Sequence, residues 1–480
     1  MNKRPTPLKI KPGSAPVVLR ILFAVLLTAT AVGCVFDRTV AEKEVDVGFL
    51  PDAFSAGEAR SPTSEPWWRT FGNEEFHGLV ETALAANPSL VQARARLRKA
   101  RAEAEAAGAD QWPDLTASAG TVHGRERIRT TSARTVSVEE YALGLTSAYD
   151  VDLWGKIRLD AEAAGLTAQA VNADLSAATT EVAAQVAERW VRIVVQRMHH
   201  ELLEHQLQAN ETLLELVELR FRKSLVSALD VFQQRQVVAR SRAQLPLAEQ
   251  TERLLVHELA LLLGKAPTEA PPINTRTVDL PDSAPGVGLP IQLLTARSDV
   301  RAALLRVQAA DRREKAARVD RLPSLQLTAS GFFEAGETAL LLDNWLVKLV
   351  SDLTAPLLDG GRRRAAVDAA KAEVEETVAA FGEVLLAAVG EVEDALAREE
   401  TLRRHLDGLA AELAAAQRTL GEARSRYRSG LDDYLPVLTA LLSVQSLERD
   451  ILDRRTELIL ARVDLYRALG GGRWTEEPVK

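Results

Sequence analysis

The sequence predicts a mainly α-helical, internally duplicated fold in which short β-hairpins are set between very long helices, and three observations carry this expectation. First, Lys156 to Lys223 contains no proline and one glycine, Gly165, in an Ala/Leu/Val background with scattered charge. A helix of about 65 residues would be about 100 Å long and needs packing partners along its whole length, as in a coiled coil. Second, the chain repeats itself: Arg426-Tyr427-Arg428-Ser429-Gly430-Leu431 parallels Arg220-Phe221-Arg222-Lys223-Ser224-Leu225 at an offset of 428 − 222 = 206. The same offset pairs Gly155 with Gly361, Arg158 with Arg364, Leu229 with Leu435, Val231 with Val437, Val238 with Val444 and Leu263-Gly264 with Leu469-Gly470. Identities that fall in turns and caps at constant register are hard to obtain from shared composition. Third, four runs alternate with period two, a pair in each half.

Taken in order, the chain opens with basic residues (Lys3, Arg4, Lys9, Lys11, Arg20), an apolar run from Ile21 to Val32, and Ala31-Val32-Gly33-Cys34. The apolar run is too short to span a bilayer, so residues 1–33 read as an export signal. The pattern resembles a bacterial lipoprotein signal, which makes Cys34 the lipidated first residue of the mature chain. Ala31 stands where that pattern prefers Leu, and an ordinary signal peptide cut nearby is the alternative. Val35 in place of Asp argues against retention at the inner membrane. With one cysteine there is no intrachain disulfide and no cysteine metal cage.

Residues 34–75 lack periodicity and read as an extended arm pinned by Trp67, Trp68 and Phe71. The first repeat spans 76–264. Helical character begins near Glu74, breaks at Asn87-Pro88 and runs to about Asp110, with Leu90, Ala93, Leu97 and Ala100 at helical spacing. After Trp112-Pro113 the period becomes two: Leu115, Ala117, Ala119 and Thr121 alternate with Thr116, Ser118, Gly120 and Val122. A polar loop, Gly124 to Ala133, leads to a second run at Tyr141, Leu143, Leu145, Ser147 and Tyr149. Strands of about ten residues are long enough to cross a membrane when tilted, and a small soluble sheet fits the same pattern. The long helix follows, then a turn at Ser224 to Ser227, and a returning helix from about Ala228 to Leu263 in which Pro246 should kink or break the ladder.

Residues 265–290 are a Pro- and Gly-rich linker, and the plan then repeats over 291–470. Ile291 to Val319 reads as a helix. Leu325 to Phe333 and Trp345 to Leu353 alternate, and Asp359-Gly360-Gly361 opens a second long helix to Arg428. A last helix reaches Leu469, closed by Gly470-Gly471-Gly472, and 471–480 form a tail.

A net charge of −8, with no basic tract interleaved with aromatics, argues against nucleic-acid binding. His199, His200 and His205 do not form an HExxH and read as a solvated helix face; the Gly-rich stretches lack the following Lys-Ser/Thr of a phosphate loop. No catalytic constellation is present, so the chain is not expected to be an enzyme or to carry a cofactor or metal.

Several segments resemble the TolC-like outer-membrane efflux family, in particular its lipoprotein branch. Tyr149-Asp150-Val151-Asp152-Leu153-Trp154-Gly155-Lys156-Ile157-Arg158 is similar to that branch's strand-to-helix junction. Val287-Gly288-Leu289-Pro290-Ile291-Gln292-Leu293-Leu294 with Arg297-Ser298-Asp299-Val300 is similar to its mid-chain signature, with Ser298 where proline is usual. Tyr427 to Leu438 resembles its second tip turn. The resemblance covers about Trp67 to Gly470. It implies a homotrimer in which each subunit gives four strands to a shared twelve-stranded transmembrane β-barrel and its helices to a long α-helical barrel. It implies an exit duct in the outer membrane of a Gram-negative bacterium, with the helices in the periplasm. The implied partners are a periplasmic adaptor and an inner-membrane pump of the resistance-nodulation-division type. Four strands cannot close a barrel alone and an open edge is not tolerated in lipid, so several copies are required independently.

The resemblance places a gate at the tip. Asp432 and Asp433 in three copies would form an acidic collar, and Leu435 a hydrophobic constriction. Tyr427, Arg426 and Arg428 would tie the hairpins together through Asp230 or neighbouring chains. The plainer reading is that Asp432 and Asp433 cap the following helix. Leu438-Thr439-Ala440 departs from the family's Leu-Asp-Ala, so part of the usual acidic ring is missing. An exit duct for type I protein secretion uses the same fold; a periplasmic coiled-coil scaffold without a pore would explain the helices but not four symmetric strands.

Overall fold

The computed structural model describes Gly48 and residues 50–56, 67–129, 133–280 and 285–471; the export signal, Cys34 and residues 472–480 lie outside the described residues. Helices α1 (Glu74–Ala86) and α2 (Pro88–Ala109) lead into strands β1 (Asp114–Arg129) and β2 (Ala133–Val151). Next come α3 (Lys156–Arg222) and α4 (Ala228–Leu262). The second half comprises α5 (Leu293–Ala296), α6 (Ser298–Val319), β3 (Ser324–Ala335), β4 (Trp345–Thr354), α7 (Arg362–Arg428) and α8 (Leu435–Ala468).

The two long helices are 67 residues each. Both start from a glycine in the left-handed region, Gly155 (φ 77°) and Gly361 (φ 88°), which lets the chain turn sharply out of a strand. The first amide groups are satisfied by carboxylates: Asp152 accepts from the Ile157 and Arg158 amides, and Asp359 from those of Gly361 and Arg363. Helix α3 packs against α2, α4, α6 and α8, and α7 against α6 and α8, so the long helices have neighbours as their length requires.

The duplication is written into the core. Val186 and Val392, related by 392 − 186 = 206, are both fully buried, each in the apolar cluster at the middle of its own half. Before the strands the register differs: β1 and β3 start 324 − 114 = 210 residues apart, α3 and α7 start 362 − 156 = 206 apart. The first hairpin-and-junction segment is therefore four residues longer than the second.

At the new register Asn87 corresponds to Arg297, and the two do the same work. Buried Asn87 donates from Nδ2 to the Leu262 carbonyl at the end of α4 (2.8 Å), and buried Arg297 donates to the Ala468 carbonyl at the end of α8 (3.0 Å). Arg297 is also held by Asp299 (2.6 Å) and Glu391 (2.8 Å). Burial alone would push the Asp299 carboxyl up, but the hydrogen bonds and charge of Arg297 prevail and hold it below the ordinary range. This explains one departure from expectation: Ile291–Val319 is not one helix. The chain is extended at Arg297 (φ −90°, ψ 124°), which aims the guanidinium at three partners, and Ser298 offers no proline to signal the break. Close by, Gly470 has φ 93°, and a Cβ there would lie 2.5 Å from the Ala296 carbonyl oxygen. Gly264 in the first half has φ 70°, with the Ala86 oxygen 2.4 Å away.

The four strands form one antiparallel sheet in the order β1-β2-β3-β4, so β2 and β3 join the two halves. Register places the alternating runs on a single face. Ala119 faces Leu143, which faces Phe333, which faces Trp345; Ala117, Leu145, Gly331 and Val347 form the next row. The opposite face carries Ser118, Thr146, Ser330 and Lys348. Leu349 (80 % exposed), Val347 and Trp345 (69 % each) point away from any core. Among the described residues no helix is long and apolar enough to cross a membrane.

Two further expectations are corrected. The polar stretch from Gly124 is not a loop: β1 and β2 stay paired to Arg129 and Ala133, because a ladder is made by backbone groups, which every one of these residues supplies. Helix α4 is not broken at Pro246, which removes one ladder bond, to the Arg242 carbonyl, while α3 packs alongside; Gln196 of α3 donates to the Ala248 carbonyl two residues beyond the proline (3.1 Å).

The described parts of the arm pack against the helices. Trp67 and Trp68 are buried, Trp67 stacks on Tyr466 (5.5 Å), and Phe76 stacks on Trp190 (4.8 Å). Further up the arm, Leu50 and Phe54 pack on the second apolar cluster and the Ser55 amide donates to Glu393 of α7 (2.9 Å).

Candidate functional site: the paired helix tips

The end of the molecule far from the sheet consists of two turns of one design. In both, a residue in the left-handed region ends the long helix, Ser224 (φ 55°) in one and Gly430 (φ 69°) in the other, related by 430 − 224 = 206. The Leu225 amide bonds back to the Arg220 carbonyl (3.0 Å), and Leu431 to Arg426 (2.9 Å), the closure of a Schellman motif. Serine pays about 1–2 kcal/mol for a conformation glycine adopts freely, which is why the first copy looks degenerate in sequence.

After the turns the copies diverge. Helix α4 is capped by Ser227 and Asp230 in a reciprocal box: Ser227 Oγ accepts from the Asp230 amide (3.3 Å), and Asp230 Oδ2 from the Ser227 amide (3.0 Å). Helix α8 has no such cap. Its N-cap residue, Tyr434, is instead sunk into the tip core, 1 % exposed, against Tyr427 (ring centroids 5.8 Å) and among Leu213, Val217, Val231 and Val437.

The sequence-predicted gate residues fall into three environments. Tyr427 is buried under Arg220, whose guanidinium carbon lies 4.2 Å above the ring and whose Nη1 donates to the Tyr427 carbonyl (2.8 Å). Burial raises the Tyr427 hydroxyl above the usual phenol range. Arg426 makes a two-pronged bond with Asp432 (2.6 and 3.2 Å) inside its own turn, and that hydrogen bond and charge hold Asp432 below the ordinary carboxylate range. Asp433, Arg428 and Leu435 are exposed, and Asp433 and Arg428 make no hydrogen bond or ion pair among the described residues.

Within the single chain two expected contacts are not made. Asp230 does not bridge to Arg426 or Arg428, because its carboxylate is occupied by the capping box. Neither Asp432 nor Asp433 caps α8. The tie between hairpins comes from Arg220, on the other long helix.

A buried polar chain completes the tie. Tyr434 Oη donates to Gln234 Oε1 (2.5 Å), and Gln234 Nε2 donates to the Asn210 carbonyl (2.6 Å). Asn210 Nδ2 donates to Ser241 (2.9 Å), and Gln445 Nε2 donates to Asn210 Oδ1 (2.9 Å). Gln206 donates to the Gln445 carbonyl (3.0 Å) and accepts from Arg449 (2.6 Å). Asn210 and Gln234 are fully buried, so each group depends on its partner. Burial first, with the nearby Tyr427 and Asp230 adding, raises the Tyr434 hydroxyl far above the phenol range, so it stays a donor at any working pH. Sequence reasoning missed this chain, although a signal exists. Asn210 leads Leu213 and Val217, Gln234 sits between Val231 and Val238, and Gln445 follows Leu438 and Leu441, each a polar residue at a core position of an apolar stripe.

An antiparallel sheet with one apolar face, continuous with helices about 100 Å long that end in two matched turns, defines a membrane-embedded strand region joined to a helical tube. The outer membrane efflux protein model matches residues 79–265 and again 289–471, one match per repeat, and the chain belongs to that family. It is 31 % identical to the pyoverdine export outer membrane protein OpmQ of Pseudomonas aeruginosa, over 87 % of this chain and 90 % of that protein. It is also 31 % identical to the outer membrane protein OprJ of the same species, over 85 % and 86 %. Among solved structures, the outer-membrane channel OprN superposes with a TM-score of 0.84 at 26 % identity, covering 90 % of this chain and 99 % of that one. The VceC outer membrane protein of Vibrio cholerae superposes at 0.80 and 28 %, covering 86 % and 100 %. The chain is an outer-membrane exit duct of a tripartite efflux system and not an enzyme.

Proposed function

We propose that three copies close into one channel anchored in the outer membrane by acylated Cys34, with the helices reaching into the periplasm to a gated tip. The observation that carries this reading is the sheet. It has an apolar face, a polar face and two unpaired edges, β1 and β4. In lipid both edges must be paired, and pairing β4 of one copy with β1 of the next closes a ring. Three copies of four strands are the smallest closed set able to enclose a channel.

The arm is long enough for lipidation at Cys34. Ser55 sits beside Glu393, 393 − 362 = 31 residues down α7, about 47 Å from its sheet end at 1.5 Å per residue. The 55 − 34 = 21 residues back to Cys34 reach up to about 70 Å.

At the tip, convergence of three subunits brings Asp433 and Leu435 into rings. Asp432 is paired with Arg426, so Asp433 supplies the acidic collar and Leu435 the apolar constriction. The buried chain from Tyr434 to Gln445 and the Arg220–Tyr427 stack hold the hairpins in the closed arrangement. A docked periplasmic adaptor opens it by binding the open state more tightly, and an inner-membrane pump of the resistance-nodulation-division type delivers cargo. Relatives named for pyoverdine export, toluene efflux and cation efflux match this chain over 87 %, 88 % and 84 % of its length, which supports placing cargo choice in the pump rather than the duct.

The test is conductance of the reconstituted channel in planar bilayers. Asp433→Ala should reduce cation preference more than Asp432→Ala, since Asp432 is already neutralised by Arg426. No effect of Asp433→Ala would remove Asp433 from the gate, and equal effects would put Asp432 back into the collar beside it.

A further inference from the structure

We propose that the β1–β2 hairpin carries a binding surface for the phosphorylated glycolipid of the outer leaflet, lipopolysaccharide, formed by His123, Arg125 and Arg127. This rests on the orientation given under Proposed function, with the hairpin end outside and the helices inside.

Tyr141, Phe333 and Trp345 lie on the apolar face within one residue pair of the same level, and such rings mark the boundary of the hydrocarbon. Strand β3 ends there, at Ala335 opposite Tyr141, while β1 and β2 continue alone as a ribbon. The face that is apolar below this line becomes basic above it. Thr121, opposite Tyr141, is followed on the same face by His123, Arg125 and Arg127, opposite Glu139, Ser137 and Thr135. Arg125, Arg127 and Ser137 are exposed. Glu139 is the one acid among these described positions, and it stands opposite His123, leaving the arginines above it opposite Ser137 and Thr135.

Height decides which headgroup fits. At about 3.3 Å per residue and a tilt near 40°, His123 stands about 5 Å above the aromatic line, Arg125 about 10 Å and Arg127 about 15 Å. A phospholipid headgroup layer is only about 5–7 Å thick. Arginines at about 10 and 15 Å lie above that layer of ordinary phosphates but within a headgroup built from phosphorylated sugars, whose anions a guanidinium grips with two parallel bonds. An apolar strand face that turns basic at this depth matches a lipid whose acyl chains give way to a tall anionic layer.

The experiment uses the full-length trimer in detergent, with binding of diphosphoryl lipid A and of its dephosphorylated form measured by fluorescence titration. Wild type should prefer the phosphorylated form. Arg125→Ala/Arg127→Ala should bind it about 30-fold more weakly, since each charge near an anionic surface is worth a factor of about five. Arg125→Lys/Arg127→Lys should retain most of the affinity, which separates charge from folding. Equal binding by wild type and the alanine variant, or no preference for phosphate, overturns the assignment. Ser137→Cys in intact cells, labelled by a membrane-impermeant maleimide, reads the orientation separately. Labelling above the parent protein supports it, and no labelling overturns both the orientation and the lipid site.

Discussion

Replacing Tyr434 with Phe removes one oxygen and leaves Gln234 Oε1, on a side chain with no solvent exposure, without its donor. The ring keeps its contacts with Tyr427 and Val437, so the perturbation is confined to the hydrogen bond. Leaving a buried acceptor unsatisfied costs about 1–3 kcal/mol. If the bond exists only when the hairpins are closed, that cost falls entirely on the closed state and shifts the closed-to-open ratio roughly 5- to 150-fold. The assay is spontaneous conductance of reconstituted channels, paired with sensitivity of the host to a large antibiotic that enters through a leaking duct. Both should rise in Tyr434→Phe. Adding Gln234→Leu should cost less than the sum of the two single changes, because the acceptor stranded by Tyr434→Phe is gone in the double variant and only the side-chain bond to the Asn210 carbonyl is lost besides. A Tyr434→Phe channel that melts at a lower temperature yet leaks no more than wild type would show that the bond is made in both states, and the latch would be refuted.

Glu399 and Arg462 form a buried pair between α7 and α8, and Glu399→Gln should destabilise the fold by about 3–5 kcal/mol by removing the carboxylate charge that offsets the buried guanidinium. The first repeat has Ile193 and Val256 at the corresponding positions (399 − 206 and 462 − 206), so Glu399→Ile/Arg462→Val should recover most of that loss in thermal melts. Burial works to raise the Glu399 carboxyl, but Arg462 and Arg403 outweigh it and lower it below the ordinary glutamate value. Its contribution is therefore complete above the unfolded value and is lost as pH falls through the lower folded value; a melting temperature that does not fall more steeply for wild type than for the Ile/Val variant below about pH 4.5 contradicts this. Gly264→Ala and Gly470→Ala should each be far more damaging than Gly430→Ala, measured as yield of folded trimer. All three have positive φ, but only the first two place a Cβ against a carbonyl oxygen, at 2.4 and 2.5 Å.

The sequence by itself determined the elements and their repetition. Proline-free runs set the length of α3 and α7, period-two runs marked the four strands, and identities at offset 206 exposed the duplication, because these signals are local or depend on matched local signals. It also placed the aromatic anchor at Trp67 and Trp68. What it could not determine was partnership across distance. Arg426 had several carboxylates within plausible reach, and the choice of Asp432 follows from the tightness of the turn and from the prior engagement of Asp230 in a cap. Arg220 was visible as a repeated residue but not as the group that lies over Tyr427. Asn210, Gln234 and Gln445 stood in the apolar stripes as anomalies, and only the packing of α3, α4 and α8 turned them into one satisfied chain. The break at Arg297 was hidden because no helix breaker in the chain marks it: the guanidinium is held by two distant acceptors, Glu391 and the Ala468 carbonyl, as well as by neighbouring Asp299. The tertiary structure decided these points because a charged or polar side chain chooses its partner by geometry and desolvation, and neither is carried by the order of residues along the backbone.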